Sequence, residues 1–183
     1  MKLIFLGPPG AGKGTQAKLL AESYSIPHIS TGEILRAAIA KETDLGKQAQ
    51  AFVDRGELVP DALILDLIRA RLQESDTQQG WILDGFPRNV SQAEFLEKLL
   101  AELNQNCDHA LNLEVPDAVL VQRLLGRGRK DDNESTISRR LDVYREQTAP
   151  VIEFYKQQGA LVSVDGSQQM EDVTKNLKSC ISV

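Results

Sequence analysis

The amino-acid sequence predicts an α/β fold in which a five-stranded parallel sheet is flanked by helices. Five short apolar runs of strand length alternate along the chain with longer stretches whose apolar residues recur at helical spacing. This alternation is typical of α/β proteins with parallel strands. A glycine-rich loop directly follows the first apolar run, and such loops commonly join a strand to a helix in these folds.

Each predicted element rests on a local pattern. The predicted strands are 3–6, 26–29, 81–83, 110–115 and 160–164, because each is a short, mostly apolar run. Helical spacing predicts helices over 14–24, about 45–54, 61–74, 91–103, 134–156 and 170–179. A further helix is predicted to begin at Thr31 as N-cap, with an apolar face that includes Ile34 and Leu35. The polar stretch 126–134 is predicted to be an exposed loop or a small mobile cover.

Length and composition predict one soluble domain. The chain has 183 residues, of which 42% are hydrophobic and 26% charged. A net charge of -5 argues against a non-specific nucleic-acid binder, which would be basic. Cys107 and Cys180 lie too far apart in sequence to indicate a zinc site or a disulfide framework. The apolar run before Gly7 is too short for a signal peptide or a membrane span, and no heptad pattern is evident, so we expect a cytoplasmic monomer.

The loop GPPGAGKGT at 7–15 is the most informative segment. Glycines allow successive backbone N–H groups to turn inward, and the helix that follows directs its N-terminal dipole at the same point. Lys13 adds a positive charge, so the loop predicts binding of a nucleotide phosphate chain. The general motif places Ser or Thr directly after the lysine, whereas this chain has Gly14 there and the hydroxyl follows at Thr15.

The loop and six later motifs resemble those of the adenylate kinases and their nucleoside monophosphate kinase relatives. They lie in the family's order and cover nearly the whole chain: GPPGAGKGTQA at 7–17, HISTGEILR at 28–36, DGFPR at 84–88, the lid-side set Arg123, Arg127, Arg129, Lys130, Asp131 and Asp132, RRL at 139–141, YREQTAP at 144–150, and VDG at 164–166. The resemblance implies a three-layer fold like that of P-loop nucleoside triphosphate hydrolases. It also implies the reaction ATP + AMP ⇌ 2 ADP, in adenine nucleotide homeostasis and purine nucleotide salvage.

The resemblance further implies a single kinase domain with two small mobile parts. The core would be 1–29, 60–125 and 139–183, the AMP-binding segment 30–59, and a short lid about 126–138. Only about ten residues separate Arg127 from Arg139, so we expect no four-cysteine zinc module in the lid.

The resemblance also assigns roles to individual residues. The implied catalytic residues are Lys13, Arg88, Arg123, Arg129 and Arg140. The implied ATP-binding residues are Gly10, Ala11, Gly12, Lys13, Gly14, Thr15, Arg123, Arg127 and Gln168. The implied AMP-binding residues are Thr31, Gly32, Arg36, Glu57, Leu58, Val59, Gly85, Phe86, Pro87, Arg88, Gln92, Arg129 and Arg140. Mg²⁺ is expected to accompany ATP and to be held through water by Asp84, while Asp131 and Asp132 are expected to orient arginines or metal-bound water.

Chemistry supports these assignments. Phosphoryl transfer depends on positioning and charge stabilisation, and the planar guanidinium of arginine grips a phosphate at two oxygens. A carboxylate such as Asp84, at the end of a buried strand, is well placed to hold water on Mg²⁺.

Two residues favour AMP over pyrimidine monophosphates. The uridylate and cytidylate kinase relatives typically carry alanine at the position of Thr31 and asparagine at that of Gln92. A hydroxyl and a longer amide can hydrogen-bond the edge of adenine, and mispairing that edge costs roughly 1–3 kcal/mol. Asn89, where threonine is frequent in adenylate kinases, and Glu33, where aspartate is usual, depart from the pattern; neither is expected to contact the base.

Two other functions stay open at this point. A pyrimidine monophosphate kinase would turn over UMP or CMP better than AMP. A nucleotide-binding regulatory or chaperone module with a dead site would bind ATP tightly without transfer, although Lys13 and the full arginine set argue against it.

Overall fold

The structure, a computed structural model, describes residues 1–129 and 132–181 of the chain. Within these residues the strands are β1 (Lys2–Leu6), β2 (His28–Ser30), β3 (Trp81–Asp84), β4 (His109–Glu114) and β5 (Leu161–Asp165). They form one parallel sheet in the order β2-β3-β1-β4-β5. The predicted parallel sheet and its strands are confirmed, with ends that differ by up to two residues.

The described helices are α1 (Lys13–Tyr24), α2 (Thr31–Ala40), α3 (Asp44–Arg55), α4 (Asp61–Leu72), α5 (Val90–Glu102), α6 (Asp117–Gly126), α7 (Glu134–Val143), α8 (Pro150–Gln157) and α9 (Met170–Ile181). A 3₁₀ turn, Ser75–Thr77, precedes β3, and a π-helical turn, Tyr144–Thr148, joins α7 to α8.

Helices cover both faces of the sheet, which confirms the three-layer α/β fold. Successive β1 side chains alternate between the faces: Leu3 and Phe5 belong to one buried cluster, and Ile4 and Leu6 to the other. The first cluster joins β1 to α1, α6 and α9, and the second joins it to α4, α5 and α8. Because both faces are buried, the strands are apolar runs rather than alternating patterns.

Three sequence predictions need correction. The helix predicted to start at Thr31 is capped by Ser30, whose Oγ accepts a hydrogen bond from the Glu33 N–H at 3.4 Å. The stretch predicted as one helix over 134–156 is helical but not uniform: the π-helical turn Tyr144–Thr148 follows α7, and α8 begins at Pro150, which has no N–H to donate. Helix α6 was not predicted at all, although Asp117 in its first turn and Leu120 and Leu124 on its buried face fit a helix. Lys130 and Asp131 of the predicted lid lie outside the described residues.

Candidate active site

A cavity of about 660 Å³ opens at the carboxyl end of the sheet. Binding sites of open parallel sheets are expected at this edge, where the loops that follow the strands meet. The residues that the sequence predicts as catalytic, ATP-binding or AMP-binding all line this cavity, and so does Asp84. Asp132 is not among the lining residues, and Asp131 lies outside the described residues. We call this cavity the cleft.

The glycine-rich loop forms one wall of the cleft. Gly12 is the N-cap of α1 with φ of 96°, a left-handed conformation that glycine adopts without strain, and a Cβ there would meet open space. No side chain caps α1, whereas Ser30, Thr43, Asn89 and Asn133 each cap the helix that follows them. The first N–H groups of α1 therefore remain available to an anion.

Lys13 fills the loop from within. Its Nζ donates to the backbone oxygens of Gly7 at 2.7 Å and Pro8 at 2.9 Å. Burial lowers the pKa of Lys13 from 10.5 to about 8; the charge of Asp84 opposes this shift, and those of Arg88 and Arg127 add to it. An incoming phosphate would give this ammonium a partner with full negative charge, which the two carbonyl oxygens do not provide.

Asp84 lies at the carboxyl end of β3, close to the loop. Its Oδ2 accepts from Ser30 Oγ at 3.5 Å and lies 3.6 Å from His28 Nε2. A Cβ on Gly14 would lie 3.5 Å from the same oxygen, so Gly14 brings the start of α1 beside this carboxylate. Burial alone would raise the pKa of Asp84, but the close contact with His28 and the charges of Lys13 and Arg88 bring it below the usual range.

Arginines of α6, of its C-cap and of α7 reach the same cleft. Arg123 Nη1 donates to the backbone oxygen of Gly166 at 3.0 Å. Asp132 bridges two more, since Arg127 binds both its oxygens at 2.8 and 2.7 Å and Arg140 binds one at 2.9 Å. Burial favours the neutral form of Asp132, yet the hydrogen bond to Arg127 and the charges of Arg127 and Arg140 lower its pKa overall. Asp132 thus pairs with two arginines that line the cleft, and its role in orienting them stays a prediction.

The opposite wall combines an arginine pair with hydroxyl and amide groups. Arg88 Nε donates to the Gly85 oxygen at 2.8 Å, and Arg36 lies against Gly32. Thr31 Oγ1 donates to the same Gly85 oxygen at 2.8 Å. Gly85 has φ of 83°, and a Cβ there would lie 2.6 Å from Thr31 Oγ1, so this close approach requires glycine.

The segment 57–59 also lines this wall. The Glu57 N–H donates to the Phe52 oxygen at 2.9 Å and is thereby used in ending α3. Val59 is buried, and its apolar side chain adds to the surface available to a base.

Comparisons with known proteins agree with this geometry. The family model described as adenylate kinase matches residues 5–160. An adenylate kinase 1 of Nostoc sp. is 56% identical over 98% of this chain and 98% of its own length. An adenylate kinase 1 of Synechocystis sp. is 58% identical over 98% and 96%, and an adenylate kinase of Corynebacterium urealyticum is 51% identical over 96% of each chain.

The chain belongs to the adenylate kinase family. It is therefore a nucleotide phosphotransferase, and its five-stranded parallel sheet with flanking helices is the fold of this family.

Several residues of this adenylate kinase family cleft were missed by the sequence analysis. Thr148 Oγ1 donates to the Arg88 backbone oxygen at 2.7 Å, and Tyr144 lines the cleft beside it. Val53 and Met170 add apolar surface. The motif YREQTAP contained Tyr144 and Thr148, but the pattern alone did not show which of its residues face the nucleotide site.

The two departures from the adenylate kinase pattern have local structural partners. Glu33 pairs with Lys18 at 2.8 Å, and this hydrogen bond lowers the pKa of Glu33. Asn89 Oδ1 caps α5 by accepting from the Gln92 N–H at 2.8 Å.

Among residues 1–129 and 132–181, no group of three or more His, Cys, Asp or Glu side chains is arranged to hold a metal ion. A single carboxylate beside a phosphate loop suits Mg²⁺, which is commonly bound through one or two carboxylates, water and substrate phosphates. Asp84 fits that role. None of the described helices combines the length and apolar character needed to cross a membrane.

Proposed function

We propose that the cleft catalyses ATP + AMP ⇌ 2 ADP, with ATP on the glycine-rich loop and AMP against α2 and the 85–92 segment. The observation that carries the proposal is the convergence of eight cationic side chains on one cleft of a chain whose net charge is -5. One of them, Lys18, pairs with Glu33, and the others are Lys13, Arg36, Arg88, Arg123, Arg127, Arg129 and Arg140. Two polyanions that must approach each other require such a concentration of positive charge.

On the side of the phosphoryl donor ATP, residues 10–15, which include Lys13, hold the β- and γ-phosphates. The uncapped start of α1 supplies N–H donors there. Arg123 of α6 and Arg127 at its C-terminal end bind the ATP phosphates, and Gln168, which also lines the cleft, completes the proposed ATP site. Lys13 leaves its two carbonyl partners and follows the transferred group.

On the acceptor side, Arg36 and Arg88 bind the AMP phosphate, and Arg129 and Arg140 approach it from the lid side. Thr31, Gln92 and the segment 57–59 surround the base, together with Gly32, Phe86 and Pro87. The hydroxyl of Thr31 and the amide of Gln92 supply polar groups that can match the edge of adenine.

Transfer then needs little covalent help from the chain. An oxygen of the AMP phosphate attacks the γ-phosphorus in line, a new P–O bond forms, and the bond to the β-phosphate oxygen breaks to release ADP. The attacking phosphate is already anionic, so no general base is needed. Arginines stabilise the charge on the transferring oxygens, and Asp84 would hold Mg²⁺ through water, where the ion would neutralise charge on the nucleotide phosphates.

We infer that 30–59 and about 126–138 act as the AMP-binding segment and lid on a core of 1–29, 60–125 and 139–183. The two parts meet in this structure, since Thr136 Oγ1 donates to the Asp54 backbone oxygen at 3.2 Å. We further infer that the protein works as a cytoplasmic monomer.

An assay of ADP formation with ATP, Mg²⁺ and either AMP, CMP or UMP tests the proposal directly. AMP should give the highest kcat/KM. Higher turnover of CMP or UMP would assign the chain to pyrimidine monophosphates. ATP binding without transfer to any of the three would indicate a binding module.

A further inference from the structure

The side chain of Gln92 has two hydrogen-bond partners that together permit only one orientation of its amide. Gln92 is 2% exposed and lines the cleft. Its Oε1 accepts from the backbone N–H of Arg88 at 2.7 Å, and its Nε2 donates to Asp61 Oδ1 at 2.7 Å. A backbone N–H can only donate and an ionised carboxylate can only accept, so the amide has one permitted orientation.

That orientation matters because adenine and 6-oxopurines present opposite patterns along the same edge. Adenine offers an acceptor at N1 and a donor at its 6-amino group. Hypoxanthine offers a donor at N1 and an acceptor at O6. An amide has two N–H donors and two oxygen lone pairs, so Gln92 retains one of each after binding Arg88 and Asp61. Turning the amide over would exchange the positions of its donor and acceptor.

We propose that Asp61 is a positioning residue for base selectivity, which fixes the Gln92 amide in the orientation that suits a 6-aminopurine and disfavours a 6-oxopurine. The proposal rests on the AMP site of the proposed function. Asp61 is not among the described residues that line the cleft, so it acts through Gln92.

The surroundings hold Asp61 in place for this role. It is the first residue of α4, directly after the N-cap Pro60, and it is partly buried. Asn89 Nδ2 donates to the same Oδ1 at 3.4 Å. Two amides thus converge on one carboxylate oxygen, which keeps that oxygen directed at Gln92.

A simpler role for Asp61 is that of an acidic residue in the first turn of a helix, which interacts favourably with the helix dipole. The chain offers a matched control for this effect. Asp117 is also the first residue of a helix, α6, directly after the N-cap Pro116, and it does not line the described part of the cleft.

The test measures kcat/KM for AMP and for inosine monophosphate, with ATP and Mg²⁺, in the wild type and in Asp61→Ala. Hypoxanthine differs from adenine along the N1 and C6 edge without an added 2-amino group. In the wild type, turning the Gln92 amide over to suit IMP mispairs it with both the Arg88 N–H and Asp61. In Asp61→Ala, turning it over mispairs it only with the Arg88 N–H, since water at the vacated position can donate or accept. The AMP-to-IMP preference should fall about tenfold.

The preference is a ratio measured on one preparation, so partial unfolding of a variant cancels from it. Asp117→Ala should leave the ratio unchanged. In a Gln92→Ala background, Asp61→Ala should no longer change the ratio, because the residue through which it acts is gone. Equal loss of kcat/KM for both substrates, or an effect that persists without Gln92, would overturn the proposal.

Failure of the proposed function would look different. The wild type itself would then show no preferential use of AMP over CMP and UMP, whatever residue occupies position 61.

Discussion

At the scale of single residues, Lys13 shows how the cleft is arranged for an anion. Its ammonium binds two backbone carbonyls, Gly7 and Pro8, which carry only partial negative charge. Burial removes most of the hydration that would otherwise favour the charged form. When a nucleotide binds, a phosphate with a full negative charge replaces these carbonyl oxygens as the partner of the Lys13 ammonium. The attraction on Lys13 is therefore strongest at the charged oxygens of the transferred group.

Lys13→Met should lower kcat by at least about 10²–10³-fold, the usual loss when a donor to developing charge is removed from an enclosed site. Steady-state ADP formation from ATP and AMP measures it. Lys156→Met is the control, because Lys156 lies on the exposed side of α8 and pairs with Glu153. Unchanged turnover in Lys13→Met would refute the catalytic role given to this lysine.

Binding of ATP near pH 8 should take up protons. With a pKa of about 8, about half of the Lys13 side chains are neutral at that pH in the free protein, and phosphate favours the charged form. Uptake should vanish well below pH 8, where Lys13 is already protonated, and affinity should fall as pH rises above 8. Calorimetry in two buffers of different ionisation enthalpy measures the uptake, and Lys13→Arg should abolish it.

The sequence could predict which residue types meet in the cleft, because the motifs carry them in fixed order. It could not predict the partners that hold them. Asp61 is 31 positions from Gln92, and their contact follows from the packing of α4 against α5. The pairing of Asp132 with both Arg127 and Arg140 likewise depends on where α6 and α7 place their ends. The roles of the site residues stay predictions.

At the scale of elements, the contrast between α1 and α5 shows how local sequence decides what a helix start can do. The N-cap of α1 is Gly12, which has no side chain to cap the helix and so leaves its first N–H groups for an anion. The N-cap of α5 is Asn89, whose Oδ1 accepts from the N–H of Gln92. Asn89 replaces the threonine that is frequent at this position in adenylate kinases, and both residues cap helices well, so the replacement keeps the helix cap.

Asn89→Ala should destabilise the fold by about 1 kcal/mol, which lowers Tm by roughly 2–4 °C in a chain of this size. Thermal unfolding followed by circular dichroism measures the shift. Asn89→Thr should retain most of the stability because its hydroxyl can still accept from the Gln92 N–H. Equal destabilisation by the two changes would show that capping is not what Asn89 contributes.

Elements were predicted where the pattern was unambiguous and missed where two patterns adjoin. The apolar run of β4 continues, after Pro116, into the apolar face of α6, and periodicity did not separate the strand from the helix. Thr31 fits the N-cap pattern because it precedes an apolar face, yet Ser30 carries an equivalent hydroxyl one residue earlier. The register of β2 with β3 ends at Ser30, opposite Asp84, and this tertiary constraint selects the cap.

At the scale of the whole molecule, the sheet order is what brings the motifs together. The sequence order of the strands does not reveal that β1 lies between β3 and β4. That arrangement sets the phosphate loop after β1 beside Asp84 at the end of β3. Such pairings join residues far apart in sequence, so local patterns alone do not determine them.

The distribution of charge is also a property of the whole molecule, since eight cationic side chains of an acidic chain line one cleft. Raising ionic strength from about 0.1 M to about 1 M shortens the Debye length from ~10 Å to ~3 Å. The attraction between the cleft and free nucleotides should weaken, so KM for ATP and AMP should rise several-fold. At saturating substrate kcat should change much less, because charges in direct contact are poorly screened.

Arg36→Gln turns this salt dependence into a test of which nucleotide lies where. Arg36 is on α2, and we propose that it binds the AMP phosphate. Its removal should flatten the salt dependence of KM for AMP, because one cation fewer contributes to that attraction. The salt dependence of KM for ATP should stay as steep as in the wild type, which makes it the internal control. Equal flattening for both nucleotides would place Arg36 between the two sites, and a flattening for ATP alone would reverse the proposed assignment of the two walls.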